Sequence, residues 1–175
     1  QNFEVTFHCR DSFCSLMLTM CEIYPENITP LLYDPLFLIA GISIQSDFTL
    51  QPLENFWKLN VKVFTLIPEL LQGSDLFLAC IELAKNQFNF DSFSLNFEYI
   101  SEFLSLAFKS LDDETIDNFM NATFEIIESN EESLLEIKNV VALLKEILEY
   151  KEEKKSLHPE HINFYNEVKE KMEKL

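Results

Sequence analysis

Three histidines and one carboxylate are the side chains of this sequence that come nearest to a chemical site. His158 and His161 are three residues apart with Glu160 between them, whereas His8 lies at the other end of the chain. Residues at i and i+3 share one face of a helix, so this pair could hold a metal ion. The sequence places no third ligand beside them, and we therefore expect no metal site and no cofactor.

The four cysteines, Cys9, Cys14, Cys21 and Cys80, lack the Cys-x-x-Cys spacing of zinc sites. Cys14 and Cys21 would lie two turns apart on one helix, about 10 Å at the helical rise. That separation is too long for a disulfide. The pattern favours free thiols in a hydrophobic core and a reducing compartment.

Other catalytic signatures are missing from the sequence. With only Gly41 and Gly73 in the chain, a glycine-rich loop that cradles phosphate is physically unfavourable. The nucleophile-elbow and zinc-protease motifs do not occur. The sequence therefore predicts no catalytic residue and no enzyme function.

Acidic residues dominate the charge of the chain, with 30 Asp and Glu against 13 Lys and Arg and a net charge of −17. Residues 1–100 carry 4 basic and 12 acidic residues, and residues 101–175 carry 9 and 18, so the acidity is spread throughout. Nucleic-acid binding depends on Lys and Arg, which argues against direct nucleic-acid binding. A basic protein partner would be attracted. A merely solvated acidic surface is the simpler alternative and stays open.

Helices are the elements that must position these residues. The chain is 47% apolar but has 2 glycines, and no Asn-Gly or Asp-Gly hairpin dipeptide occurs. Apolar runs are interrupted well before the roughly 20 residues that a membrane span needs, so we expect no membrane partner. The scarcity of glycine and the absence of hairpin dipeptides predict an all-α fold.

A repeat of about forty residues organises the amino-terminal half. Residues 36–40 and 76–80 both begin Leu-Phe-Leu, and each unit follows a Pro-Glu pair, at 25–26 and 68–69. Trp57 and Phe97 take matching places, which we interpret as core positions. HEAT repeats have this length and two helices each. The sequence predicts a right-handed α-solenoid of HEAT-like antiparallel helix pairs.

Proline positions and apolar spacing predict about eight helices, at 3–24, 28–46, 51–67, 74–88, 92–111, 113–129, 131–154 and 158–175. Ser74 is the expected N-cap of the fourth helix, and Asp91 or Ser92 that of the fifth. The pairs would span about 3–46, 51–88, 92–129 and 131–175 in one solenoid segment. Because the chain starts inside an apolar run, we interpret it as the carboxyl-terminal part of a longer protein.

The second helices of such pairs commonly line the concave face of a solenoid. They would present Glu82 from the fourth helix and Asp117, Glu125 and Glu128 from the sixth. These four carboxylates are the predicted binding surface for basic protein cargo.

Residues 53–71, with Phe56 early in a helix and Pro68 at its end, and the Leu/Ala-rich residues 76–84 resemble HEAT repeats of the importin-β (karyopherin) superfamily. The turn at 89–91 and the segment 158–168 are most similar to the carboxyl-terminal part of the transportin-SR branch. The resemblance covers most of residues 12–175 and rests mainly on apolar spacing.

This resemblance implies a nuclear transport receptor that shuttles between cytoplasm and nucleus with basic protein cargo on an acidic concave surface. A Ran-type GTPase and nucleoporins would bind the full-length receptor. The sequence departs from the family in length and lacks the amino-terminal repeats that bind Ran. The alternative is a structural HEAT-repeat scaffold subunit of a larger complex.

Overall fold

The computed structural model describes residues 3–45, 53–88, 97–130, 134 and 137–173, and the regular structure in these ranges is helical, without strands. The all-α prediction is confirmed. The described ranges contain nine α-helices: α1 Phe3–Ile23, α2 Pro25–Ile28, α3 Tyr33–Gln45, α4 Glu54–Leu66, α5 Asp75–Gln87, α6 Phe97–Ala107, α7 Asp113–Ser129, α8 Lys138–Glu153 and α9 Pro159–Glu173.

Prolines set most of the boundaries in the first half. α1 ends at Ile23, and Pro25 opens the single turn of α2 at a position where its missing N–H is not needed. The single helix predicted at 28–46 is instead divided: α2 ends at Ile28 and α3 begins at Tyr33, with Pro35 in its first turn, where proline is tolerated. Among the described helices none alone is long and apolar enough to cross a membrane, although 25–31 and 33–44 meet that criterion together as a bent pair.

Side-chain caps begin two of the helices. Ser74 Oγ accepts a hydrogen bond from the Phe77 N–H at 3.2 Å, which confirms the predicted cap of α5. Asp112 Oδ1 likewise accepts from the Thr115 N–H at 2.7 Å at the start of α7. Gly73 adopts φ +90°, a left-handed conformation that favours glycine, just before the α5 cap. The predicted caps at Asp91 or Ser92 lie outside the described residues.

Helices separated by one unit pack side by side: α1 contacts α4, α4 contacts α6, and α6 contacts α8. Lys58 Nζ lies 4.6 Å from the centre of the Tyr99 ring, and Asn139 Nδ2 donates to Glu102 Oε1 at 3.3 Å. Both contacts join residues about forty positions apart, the period of the sequence repeat. α3 packs on α5, and α8 also contacts α7 and α9.

Within the second unit, α4 and α5 run antiparallel. Trp57, near the start of α4, reaches Gln87 at the end of α5, where indole Nε1 donates to Gln87 Oε1 at 2.9 Å. At the other end, the Phe64 and Phe77 rings meet edge to face with centroids 6.2 Å apart. These two contacts fix the direction of one helix against the other.

Aromatic side chains join this pair to the next unit. Trp57 is fully buried, and its ring lies 5.3 Å from that of Phe103 on α6. The Phe64 ring also contacts Phe103, at 5.5 Å. The prediction that Trp57 is a core residue is confirmed.

The cysteines are free thiols, as expected, but only three of them belong to the core. Cys14, Cys21 and Cys80 are buried, whereas Cys9 is exposed, so its assignment to the core is wrong. Burial, with a smaller effect of Asp11, raises the pKa of Cys14 to about 12. Burial also raises the pKa of Cys80, whose Sγ donates to Asn60 Oδ1 at 3.4 Å.

We expect Trp57→Phe to lower the free energy of unfolding by about 2 kcal/mol, because it removes ring volume and the hydrogen bond to Gln87. Urea unfolding followed by circular dichroism measures the change. Tyr24→Phe, at an exposed aromatic position, is the matched control and should leave the midpoint unchanged. Equal midpoints for both variants would contradict a structural role for the indole.

Candidate partner-binding surface

The predicted carboxylates lie on two helices, α5 and α7. Residues such as Ile116, Phe119 and Ile127 bury one face of α7, and Glu125 and Glu128 are exposed elsewhere on it. These two are three residues apart and therefore neighbours on the helix surface. Glu82 is also exposed, on α5, which packs on α3. Glu125 and Glu128 thus form a pair on α7, whereas Glu82 lies on a different helix.

Asp117 differs from the other three carboxylates. It forms an ion pair with Lys151 of α8, and the Lys151 side chain is only 8% exposed while that of Asp117 is 48% exposed. A buried ammonium needs such a partner because removing it from water is unfavourable. Asp117 therefore joins α7 to α8. Among the described residues, no ion pair engages Glu82, Glu125 or Glu128.

A second acidic surface lies on α6 and α8, outside the predicted site, and it contains two grooves. The first groove has a volume of about 270 Å³, and Val61, Leu106 and Ala142 form an apolar lining. Glu102 and Glu146 add carboxylates to it from α6 and α8. The two charged side chains that line this groove are therefore both negative.

The second groove shares Glu146 with the first and has a volume of about 170 Å³. Glu149 and Glu153 line it together with the rings of Phe108 and Tyr150, which meet edge to face at 5.5 Å. Across both grooves the lining carries four carboxylates and the ammonium of Lys109. The arrangement favours a cation over an anion.

The rings of the second groove lie close to lysines of the same chain. Lys109 Nζ is 5.7 Å from the centre of the Phe108 ring, and Lys154 Nζ is 5.5 Å from that of Tyr150. Both distances are within the range of cation–π attraction. Two lysine ammonium groups of this chain therefore already lie near the aromatic rings of the groove.

Glu98 lies one helical turn before Glu102 and next to the first groove. Burial raises the pKa of its carboxyl, while the Asn139 backbone N–H and the charge of Lys138 oppose that effect. Its Oε1 atom is buried without a hydrogen-bond partner in the described part of the chain. An uncharged carboxyl is thus favoured at this position relative to an exposed glutamate.

The signal that would have revealed the grooves is the spacing of Glu146, Glu149 and Glu153. Positions i, i+3 and i+7 lie along one face of a helix. In the sequence these glutamates alternate with the buried apolar residues of α8, so the stripe does not stand out as a site. Glu102 comes from α6, 44 residues before Glu146 in the chain, and only packing places the two together.

His158 and His161 lie at the start of α9, and His161 packs against α7. The His158 and His161 rings lie 5.8 Å apart, and His161 contacts the Phe124 ring of α7 at 5.1 Å. Phe124 also meets Phe164 edge to face at 4.9 Å. Within the described ranges no group of three metal-ligating side chains exists. This contact set attaches α9 to α7.

Comparisons with protein-family models, with curated proteins and with solved structures found no match for this chain.

We expect Asp117→Asn to lower the free energy of unfolding by about 1–2 kcal/mol, because it leaves the Lys151 charge buried without a counter-ion. The value is below that for a fully buried pair because Asp117 is half-exposed. Urea unfolding measures it, with the exposed Glu125→Gln as the control. Adding Lys151→Met to Asp117→Asn should recover most of the loss; a double variant no more stable than the single one would contradict this account.

Glu98→Gln should stabilise the protein at pH 7. A raised native pKa means that stability from this group is full below the unfolded pKa and is lost as pH rises through the native pKa. Glutamine has no carboxyl to ionise, so the variant does not lose this stability as the pH rises. Its advantage over wild type should therefore disappear below about pH 4, where the glutamate is also uncharged. Urea midpoints at the two pH values measure this, with the exposed Glu152→Gln as the control. A pH-independent difference would exclude the carboxyl as its cause.

Proposed function

We propose that this chain is a protein-binding helical-repeat module that takes a basic protein partner on an acidic surface. The observation that carries the proposal is the exposure of carboxylates, such as those of Glu82, Glu125 and Glu128, that form no ion pair within the described residues. With a net charge of −17, such a surface attracts and orients a cationic partner from a distance.

We infer that the helices form HEAT-like pairs, α1/α3, α4/α5, α6/α7 and α8/α9, of a right-handed α-solenoid. The antiparallel contacts of α4 with α5 support the pairing. The contacts from α4 to α6 and from α6 to α8, which recur at about the repeat length, support stacking of equivalent helices. A single segment of this kind would present long surfaces rather than an enclosed pocket.

The specific form that we propose is the carboxyl-terminal part of a nuclear transport receptor. The resemblance of residues 53–84 and 158–168 to karyopherin HEAT repeats supports it. Such a receptor would carry basic cargo on the carboxylates of Glu82, Glu125 and Glu128 and move between cytoplasm and nucleus. A Ran-type GTPase and nucleoporins would engage the full-length protein.

A structural scaffold within a larger complex is the second candidate, and a different observation favours it. Phe37 and Leu38 on α3 and Leu78 on α5 are 43%, 62% and 55% exposed. Apolar side chains exposed on neighbouring helices are typical of protein contacts. A scaffold would bind a fixed subunit through such residues, whereas a transport receptor would bind an Arg/Ser-rich peptide or a Ran-type GTPase.

The charge-reversal variant Glu125→Lys/Glu128→Lys should weaken binding of an Arg/Ser-rich peptide about tenfold at low ionic strength, because it replaces attraction by repulsion at two positions. Fluorescence anisotropy of a labelled peptide measures the dissociation constant. The effect should shrink at high salt, since exposed charges are screened.

The matched control is Glu22→Lys/Glu26→Lys, which changes the net charge equally at exposed positions of α1 and α2. If both variants weaken binding equally, the partner senses the overall charge and not the α7 surface. If the wild-type chain does not bind the peptide at low salt, the basic-partner proposal is wrong and the scaffold candidate gains support.

A further inference from the structure

We propose that the two grooves between α6 and α8 bind two basic side chains of one extended segment of the partner. This inference rests on the proposed function, in that the partner is basic. It adds to the carboxylates of α5 and α7 a second contact surface, formed by Glu102, Glu146, Glu149 and Glu153.

The first groove suits a long cationic side chain in both of its parts. Lys and Arg bury their aliphatic stems against apolar surface while the charged head remains in polar surroundings. Val61, Leu106 and Ala142 offer the apolar surface, and Glu102 and Glu146 offer the carboxylates. The Asn139 amide, which donates to Glu102 at 3.3 Å, holds one of these carboxylates in place. No basic side chain of the chain lines this groove among the described residues.

The second groove suits a guanidinium better than an ammonium. A planar guanidinium can stack on an aromatic ring and pair with a carboxylate at the same time. Tyr150 provides the ring, and Glu149 and Glu153 provide the carboxylates. Glu149 forms an ion pair with Lys145 at 3.7 Å, an exposed pair that contributes little. The lysines over Phe108 and Tyr150 make this groove less negative than the first, so we expect it to contribute less.

The spacing of the grooves selects the form of the bound segment. The α8 residues that line them are centred about seven positions apart, which is about 10 Å along a helix. In a polyproline II segment, residues i and i+3 lie on the same side and about 9 Å apart. Two basic residues separated by two others would therefore reach both grooves at once, whereas two adjacent basic residues would reach only one.

A second copy of this chain is a poor occupant. Each copy carries a net charge of −17, so two copies repel each other. A nucleic acid is repelled for the same reason. Charge complementarity leaves a basic protein segment as the occupant.

The test uses a labelled, otherwise neutral peptide with proline between two arginines at i and i+3, and measures binding to the whole chain by anisotropy at low salt. Glu102→Gln/Glu146→Gln should weaken binding about tenfold. Glu152→Gln/Glu160→Gln, which removes the same charge at exposed sites outside both grooves, should change it less than twofold. A peptide with adjacent arginines should bind wild type about threefold more weakly.

A gain-of-function variant guards against loss through misfolding. Ser105 lies in the first groove, and Ser105→Glu should tighten binding about threefold by adding a carboxylate. Equal effects of the groove and control variants, or no gain from Ser105→Glu, would overturn the groove proposal and leave the basic-partner function standing. No binding of either peptide to the wild-type chain would overturn both.

Discussion

The burial of Trp57 is the constraint on which the packing of α4, α5 and α6 depends. Its ring lies 5.3 Å from that of Phe56 on its own helix and 5.3 Å from that of Phe103 on α6, and its N–H bonds to Gln87 at the end of α5. The Trp57 side chain thus contacts its own helix, α4, and both α5 and α6. Because a buried indole needs both a fitted apolar site and an acceptor, it fixes the distance and direction of these helices together.

Asn60 and Lys151 are buried polar residues whose side chains find partners through local and cross-helix contacts. Asn60 donates to the Phe56 carbonyl at 2.9 Å and accepts from Cys80 of α5. Farther along the chain, Lys151 is buried and paired with Asp117. Such groups stabilise one arrangement over others, because a shifted helix would leave each of them buried without a partner. The acidic surface therefore rests on helices whose register is well defined.

The acidic character of the chain divides into carboxylates with structural and with surface roles. Asp117 holds α7 to α8 and is partly used by the fold, whereas Glu125 and Glu128 on the same helix remain exposed. On α6 and α8, carboxylates lie beside apolar and aromatic surface, a combination that can bind both the stem and the charge of a basic side chain. An acidic helix face without adjacent apolar surface can attract only the charge of a basic side chain and cannot pack against its stem. This difference is the physical reason for the proposal that a basic segment would bind at the grooves.

The helical class, many helix boundaries and the burial of Trp57 could be predicted from the sequence, because prolines, caps such as Ser74 and apolar spacing act within a few residues of where they occur. The sequence also identified Glu82, Glu125 and Glu128 as surface charges. The pairing of Asp117 with Lys151 and the groove shared by Glu102 and Glu146 depend instead on how the helices pack in three dimensions. Those residues lie more than thirty positions apart, and no local pattern records which helices will pack together.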